Sequence, residues 1–333
     1  MKMIEYRKKK SRHYFFLILS FILLIISLLI SIFFGSAVIP PVDVIYFLFT
    51  DNASIENKII DEVRLPRTLS AFAVGGVLAL AGALMQVLLR NPLGDPYILG
   101  VSGGAATASL VGMLLGLNAL WLTPLAFGGA LFSILLVFYL GGQNENDNSN
   151  RLLLSGVIVA AGWGSLISLV LSIAPPMQLP GMIFWLIGDL SDALSPWVTM
   201  FVLTFGLIGS IILAPKLNIA IYGFQQAAVL GIEHRKLQFQ LYFLASILSA
   251  AAVSIAGSIG FIGLIVPHFI RLLGCTDHRT LLPVSVFSGG SLLVLADTMA
   301  RTVISPMQLP VGIITALIGI PIFLWLLKFG VKY

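Results

Sequence analysis

The stretch FFLILSFILLIISLLISIFF, residues 15–34, decides the fold class of this chain. Its apolar residues occupy every face of a helix and do not alternate as they would in a membrane-barrel strand. About 20 apolar residues cross the ~30 Å hydrocarbon core of a bilayer, so the stretch predicts a transmembrane helix. Backbone groups inside lipid must be satisfied within the protein, so we expect an all-α polytopic membrane protein.

The composition extends this prediction to the whole chain. Of 333 residues, 58% are hydrophobic and only 10% are charged, which lies outside the range of soluble globular domains. Breaking the charge-free stretches at Gly, Pro and polar clusters predicts about ten transmembrane helices in one membrane domain over residues 1–333. The predicted spans are 14–34, 65–89, 98–116, 120–140, 152–173, 195–214, 238–257, 259–273, 283–302 and 311–328.

The positions of the basic residues predict the orientation. With an even number of spans both termini lie on one side, and that side holds all but four of the 19 Lys and Arg residues. The positive-inside rule makes this side cytoplasmic, with residues 1–13 as a cytoplasmic N-terminal segment. The apolar run after this segment is longer than the core of a secretory signal, so we expect no cleavage. The sequence therefore predicts a multi-pass protein of the cytoplasmic (inner) membrane.

Motifs for catalysis are absent from the sequence. No Lys follows a Gly, so the G-x-x-x-x-G-K-[ST] phosphate loop does not occur, and the four histidines form no H-E-x-x-H zinc motif. Small-residue runs such as Ser288-Gly289-Gly290, Ser102-Gly103-Gly104 and the glycines between 257 and 263 indicate close helix packing. We expect no enzyme activity, no metal and no cofactor on this chain.

Three arginines, Arg64, Arg67 and Arg301, flank helix ends on the outer side, against the charge rule. They could extend to lipid headgroups, or they could form a docking surface for acidic side chains of a soluble partner. Asp297 adds a third alternative, because it lies four residues before Arg301 on the same helix face and could neutralise it.

Two cytoplasmic segments are also candidates for function. The segment Arg90 to Pro96 joins two spans through a turn with two prolines, which would form either a constriction at a pore mouth or simply a rigid hairpin. Residues 216–238 contain a polar stretch, Tyr222 to Gln238, that predicts a short amphipathic helix for a groove on a cytoplasmic motor. The chain has no obvious soluble domain, so such a motor must be another protein.

Four segments of the sequence carry a family resemblance, and the last two helices agree with it through Ala296-Asp297, Ala300-Arg301 and Leu309 to Ile313. The segments are Arg64-Leu65-Pro66-Arg67; Gly82 to Gln86 with Arg90 to Pro96 and Leu99-Gly100; Gly260 to His268; and Asp277-His278-Arg279 with Leu281-Leu282-Pro283. Over nearly its whole length, the chain resembles the permeases of the iron-chelate and vitamin B12 ABC importers, the type II importers.

The resemblance implies a ten-helix permease subunit that forms a homodimer, or pairs with a related permease. Two ABC ATPase subunits with ATP and Mg would dock on the cytoplasmic face, and a periplasmic or lipid-anchored substrate-binding protein would dock on the outer face. The family pattern assigns binding-protein docking to Arg64, Arg67 and Arg301. It assigns the cytoplasmic gate to Asn91, Leu93, Ser149 and Asn150, and ATPase coupling to Gln225, Gln226, Leu230, Gly231, Glu233, His234 and Arg235.

The cargo is left open by the sequence. Ferric siderophore is the first expectation from the family, followed by cobalamin and then haem. An ion-coupled secondary transporter is the alternative of another class, but it would need ionisable residues at mid-bilayer, and the third to eighth predicted spans are almost free of them.

Overall fold

A computed structural model describes residues 2–329, apart from 38, 50–53, 142–147, 192, 194, 222 and 224–228. Every regular element in these ranges is helical, which confirms the all-α prediction. The helices are α1 Lys2–Phe33, α2 Pro41–Phe49, α3 Ile55–Lys58, α4 Leu65–Leu88, α5 Val101–Leu114, α6 Ala119–Gly141, α7 Asn148–Ile173, α8 Leu179–Ile187, α9 Trp197–Ala220, α10 His234–Ala256, α11 Ile262–Leu272, α12 His278–Thr302 and α13 Val311–Phe329.

Within the described ranges, seven helices are long and apolar enough to cross a membrane, namely α1, α4 with the turns before it, α6, α7, α9, α10 and α12. Three shorter apolar helices, α5, α11 and α13, coincide with the remaining predicted spans at 98–116, 259–273 and 311–328. The membrane-spanning class is thus confirmed, whereas the count of ten spans stays a prediction.

Residues 55–64, directly before α4, are helical. Ser54 caps α3 by accepting a hydrogen bond from the backbone N–H of Asn57 at 3.2 Å. A wide helical turn, Ile59–Arg64, then continues directly into α4. Pro66, the second residue of α4, has no N–H to donate back into this turn, and a missing donor is a usual cause of irregular helix geometry. The outer end of α4 is therefore extended by helix and not by loop.

Helix α4 lies at the centre of the subunit, and its apolar segment is completely buried. It packs against α9, α10, α11 and α12. A second group, α5, α6 and α7, packs together and meets the central group along α10. At this junction the Tyr242 hydroxyl of α10 donates to the carbonyl oxygen of Ile134 in α6 at 2.6 Å.

Glycines allow the helices around α4 to approach backbone to backbone. A methyl group at Gly82 would overlap the carbonyl oxygen of Gly263 in α11. Pro267 has no N–H, so this carbonyl lacks its usual donor within the helix and lies instead against Gly82. Gly75 and Gly289 make the equivalent contact between α4 and α12, which confirms the packing interpretation of the Ser288–Gly290 run.

The Gly82 contact yields a prediction about stability. Gly82→Ala should lower the thermal unfolding midpoint of the purified protein, because overpacking a close contact costs about 1–3 kcal/mol. Gly128→Ala in α6 is the matched control, since a methyl group there meets nothing within 4 Å. Equal unfolding midpoints for the two variants in detergent would contradict the α4–α11 contact.

Candidate functional site

The three outward arginines lie together at the outer ends of α1, α4 and α12, and they are buried. Arg64, Arg67 and Arg301 are 2%, 3% and 4% exposed. Such burial is incompatible with side chains that extend to lipid headgroups, so that alternative is wrong for this subunit. We refer to Arg64, Arg67, Arg301 and Asp297 as the outer ionic cluster.

Asp297 is the carboxylate at the centre of this cluster and is fully buried. Arg67 meets it side-on, with Nε 3.1 Å from both carboxylate oxygens and Nη2 2.9 Å from Oδ1. Arg301, one helical turn after Asp297, places its Nε 3.0 Å from Oδ2. The i,i+4 neutralisation proposed from the sequence is confirmed, and the same carboxylate also joins α4 to α12.

Hydroxyl and amide groups accept further hydrogen bonds from these two arginines. Arg67 Nη1 donates to Gln308 Oε1 at 2.8 Å. Arg301 Nη2 donates to Ser31 Oγ of α1 at 2.8 Å, and this hydroxyl lies 2.7 Å from Thr68 Oγ1 of α4. The cluster thus ties three helices together at the outer face. Ser31 and Thr68 were missed by the sequence analysis, although hydroxyls inside apolar spans are a usable signal.

Arg64 has a different role within the cluster. Its guanidinium donates to backbone carbonyls at and beyond the end of α1, including Ile32 at 2.7 Å and Phe33 at 3.2 Å. Carbonyls at a helix C-terminus lack partners within the helix, so Arg64 caps α1. In the described part of the chain Arg64 makes no ion pair, so the cluster holds three guanidinium groups and one carboxylate, which pairs with Arg67 and Arg301. A contact between these arginines and carboxylates of a partner stays a prediction.

The cytoplasmic turn after α4 is tightly hydrogen-bonded. Arg90 adopts a left-handed φ of 48°, and the Asn91 N–H donates to the Gln86 carbonyl at 3.1 Å. The Asn91 side chain accepts from the Leu93 N–H at 2.9 Å, and Asp95 accepts from the Tyr97 N–H at 2.7 Å. This geometry matches the rigid-hairpin interpretation, and a rigid turn is also suitable as one side of a gate.

Gln86 fixes this turn to α11, a role that the sequence analysis missed. Its Nε2 donates to the Leu264 carbonyl at 3.0 Å, while Arg271 of α11 donates to its Oε1. Arg271 also reaches the Ala83 carbonyl at 3.4 Å. A glutamine inside an apolar span was the available signal, because an amide there requires partners.

The other predicted gate and coupling residues are placed only in part. Ser149 and Asn150 lie in the first turn of α7, but their side chains fall outside what the structure describes, as do Gln225 and Gln226 entirely. Leu230, Gly231, Glu233 and Arg235 are exposed at the cytoplasmic face, and His234 begins α10. Within the predicted segment 216–238, α9 continues to Ala220 and α10 begins at His234, and the coupling role of the segment stays a prediction.

Metal-ligating and reactive side chains are sparse. The described residues contain no group of three or more His, Cys, Asp or Glu side chains that could hold a metal ion. Cys275 is buried between α11 and α12, and burial with the nearby Asp277 charge raises the pKa of its thiol to about 11. A thiol with this pKa is a poor nucleophile at neutral pH.

Fold and site together define a class of protein: a multi-pass helical membrane protein with polar sites at the outer and cytoplasmic ends of its central helix. Residues 23–329 match the FecCD transport family, and the chain belongs to that family. It is therefore the permease subunit of an ABC importer, a multi-pass protein of the inner membrane, and subunits of this kind are not themselves catalytic.

Two curated relatives and one solved structure illustrate the match. The chain is 41% identical over 275 residues to the cobalamin import system permease protein BtuC of Halobacterium salinarum, covering 81% of this chain and 73% of the relative. It is 40% identical over 278 residues to the hemin transport system permease protein HmuU of Yersinia pestis, covering 80% and 81%. A transporter assigned to the metal-chelate type of ABC transporters, solved in an inward-facing conformation, superposes with a TM-score of 0.80 at 31% identity, over 95% of this chain and 99% of that one.

The outer ionic cluster yields a prediction about the role of Asp297. Asp297→Asn should destabilise the protein by about 3–5 kcal/mol, because two buried guanidinium groups lose their counter-charge. Replacing the set together, by Asp297→Leu with Arg67→Met and Arg301→Met, should recover much of this loss. Thermal unfolding is the measurement, and Glu62→Gln, an exposed acid on the same side, is the control. An Asp297→Asn protein as stable as the control would contradict the cluster.

Proposed function

We propose that this chain carries a metal chelate inward across the cytoplasmic membrane, driven by ATP hydrolysis on two separate ATPase subunits. A periplasmic or lipid-anchored binding protein delivers the cargo, and the permease itself binds no cofactor. The observation that carries the proposal is the match, over nearly the whole of both chains, to a transporter of metal-chelate type.

A path between two permease copies is supported by α7, the least buried of the long helices. One of its exposed faces carries small residues, including Gly164, Ser165 and Ser168. The two serine hydroxyls donate to carbonyls of their own helix, at 3.1 Å and 2.9 Å. Such a wall is mildly polar and uncharged, so it would bind cargo weakly and let it pass. We propose that α7 lines a central path in a homodimer.

An ATPase partner is supported by apolar side chains on the cytoplasmic face. Val229 and Leu230, just before α10, are 87% and 67% exposed. Large apolar side chains exposed to water beside charged residues such as Glu233 and Arg235 are typical of a protein contact. We propose that this segment receives the ATPase stroke. The stroke would then exchange which end of the path is open, with Asn91 and Leu93 at the cytoplasmic gate.

Docking of the binding protein is supported by the charge of the outer ionic cluster. Three guanidinium groups with one carboxylate leave an excess of positive charge near the outer face, and bidentate carboxylates are the natural partners of arginine. Because the cluster is buried in this structure, docking by these side chains requires a small opening around α1 and α4.

The cargo is proposed at the level of a class, a metal ion held by a large organic ligand. The family resemblance places ferric siderophore first. The names of the two relatives state cobalamin and hemin, which favours these two alternatives. All three are bulky chelates, and an uncharged path would suit each of them.

Uptake by proteoliposomes tests the cargo. The permease, its ATPase and its binding protein are reconstituted together, and ATP-dependent uptake is compared for a labelled ferric siderophore, cobalamin and haem. We expect one chelate to enter at least about tenfold faster than the others, since specific recognition is worth roughly 1.4 kcal/mol or more. ATP-dependent uptake of none of the three would contradict the proposed function.

The same assay separates docking from a purely structural role of Arg64. With Arg64→Gln, the binding-protein concentration for half-maximal uptake should rise about tenfold while the maximal rate is kept, because Gln keeps an N–H donor for the α1 carbonyls but removes the charge that docking would use. Lys58→Gln, an exposed charge on the same face, is the control and should change little. A lowered maximal rate with an unchanged half-maximal concentration of binding protein would mean that Arg64 has a structural role alone.

A further inference from the structure

The cytoplasmic end of α9 is attached to the start of α12 by one side chain, Asn218. Its Nδ2 donates to Asp277 Oδ1 at 2.8 Å. Its Oδ1 accepts from the backbone N–H of His278 at 2.9 Å and lies 2.8 Å from His278 Nδ1. A backbone N–H can only donate, so the amide orientation is fixed by the network. We call this contact of Asn218, Asp277 and His278 the α9–α12 clamp.

Asp277 is itself the N-cap of α12. Its Oδ1 also accepts from the Arg279 N–H at 3.0 Å, so one oxygen closes the helix start and holds Asn218. Burial acts to raise the pKa of Asp277, but the hydrogen bonds from Asn218 and Arg279 N–H, with the charges of His13 and Arg279, outweigh it and lower the pKa. The clamp therefore contains a charged cap, which is stronger than a neutral one.

Helix α12 connects this clamp to the outer face. It has 25 residues, and at 1.5 Å per residue this is about 37 Å, enough to cross the bilayer. Its far end carries Asp297 and Arg301 of the outer ionic cluster. Helix α1 packs along α12 and is hydrogen-bonded near both ends of it. At the outer end Arg301 donates to Ser31, and at the cytoplasmic end Arg12 donates to the Leu273 carbonyl, which precedes the clamp.

The position of Asn218 along the chain indicates how the clamp could transmit motion between helices. The residue lies two positions before α9 ends at Ala220, on the cytoplasmic side. The segment that we propose as the ATPase contact belongs to the connection from α9 to α10, so its displacement acts on the last turn of α9 as well as on the start of α10. Because the clamp joins this turn to the capped start of α12, the two helix ends must move together.

We propose that Asn218 is a positioning residue for coupling, which transfers displacement of the cytoplasmic segment after α9 to α12 and so to the outer ionic cluster. This inference rests on the proposed function, since an ATPase stroke would be the source of the displacement. It predicts that nucleotide on the cytoplasmic side changes the position of the outer end of α12, and that the change depends on Asn218.

The matched variants exchange the hydrogen-bonding roles within the clamp. Asn218→Asp alone sets two carboxylates against each other and removes the Nδ2 donor. Asn218→Asp combined with Asp277→Asn restores one amide and one carboxylate with donor and acceptor exchanged, so the clamp can close again. The unfolding temperature is measured for both variants. If the variants only destabilised the protein locally, their loss of transport would parallel the fall in unfolding temperature.

A spin label at Met299→Cys reports on the outer end of α12. Met299 lies in the last turn of α12 and is 43% exposed, whereas the native Cys275 is buried with a raised pKa and should remain unlabelled. The labelled permease is assembled with its ATPase in nanodiscs, and the distance between the two copies is measured with and without a non-hydrolysable ATP analogue. Cargo moved per ATP hydrolysed is measured in proteoliposomes.

We expect the analogue to change the distance in the otherwise native protein and to change it little in Asn218→Asp. Cargo per ATP should fall at least about fivefold in that variant, and the double variant should recover both signals. A full distance change in Asn218→Asp, or none in the native protein, would overturn the inference. Absence of ATP-dependent uptake by the native complex would instead overturn the proposed function.

A second measurement covers the case in which Asn218→Asp does not assemble. Hydrogen exchange of the native complex reports on the His278 and Arg279 amides, which donate to Asn218 and Asp277. If the clamp transmits displacement, these amides stay protected both with and without nucleotide. Fast exchange in either state would overturn the inference, because an open clamp transfers nothing.

Discussion

The rest of the structure depends on the complete burial of α4 in a molecule whose surroundings are mostly lipid. Polar groups that are buried in this way must find partners on neighbouring helices, because water is absent. Each polar end of α4 meets this requirement differently. Arg67 at the outer end is satisfied by Asp297 and Gln308, and Gln86 at the cytoplasmic end by Leu264 and Arg271. The helix is thereby fixed in register against α11 and α12.

Burying the charges of the outer ionic cluster costs desolvation free energy, and the role of the cluster is to set the relative positions of three helices. A buried ion pair often adds little net stability over apolar side chains of similar volume, but removing one member leaves a costly unpaired charge. Here one carboxylate joins α4 to α12, and a hydroxyl of α1 completes the set. Since the cluster tolerates few alternative arrangements, a partner that competes for its guanidinium groups would change how three helices pack at the outer face.

Local sequence patterns predicted much of the fold. The predicted span 65–89 corresponds to α4, and the four-residue spacing of Asp297 and Arg301 predicted their ion pair. Contacts between distant residues could not be obtained this way. Arg67 meets Asp297 across 230 positions, and Asn218 meets Asp277 across 59, with no periodic signal that links them. Helix ends were also missed where capping decides them, as at Ser54 before α3.

The energy source is the most direct test of the account, because a permease with no motor of its own cannot move cargo alone. The purified chain is reconstituted by itself and exposed to imposed proton and sodium gradients, then reconstituted with its ATPase and binding protein and supplied with ATP. We expect chelate uptake only in the complete, ATP-supplied vesicles. Gradient-driven uptake by the chain alone would contradict it and would identify an ion-coupled secondary transporter instead.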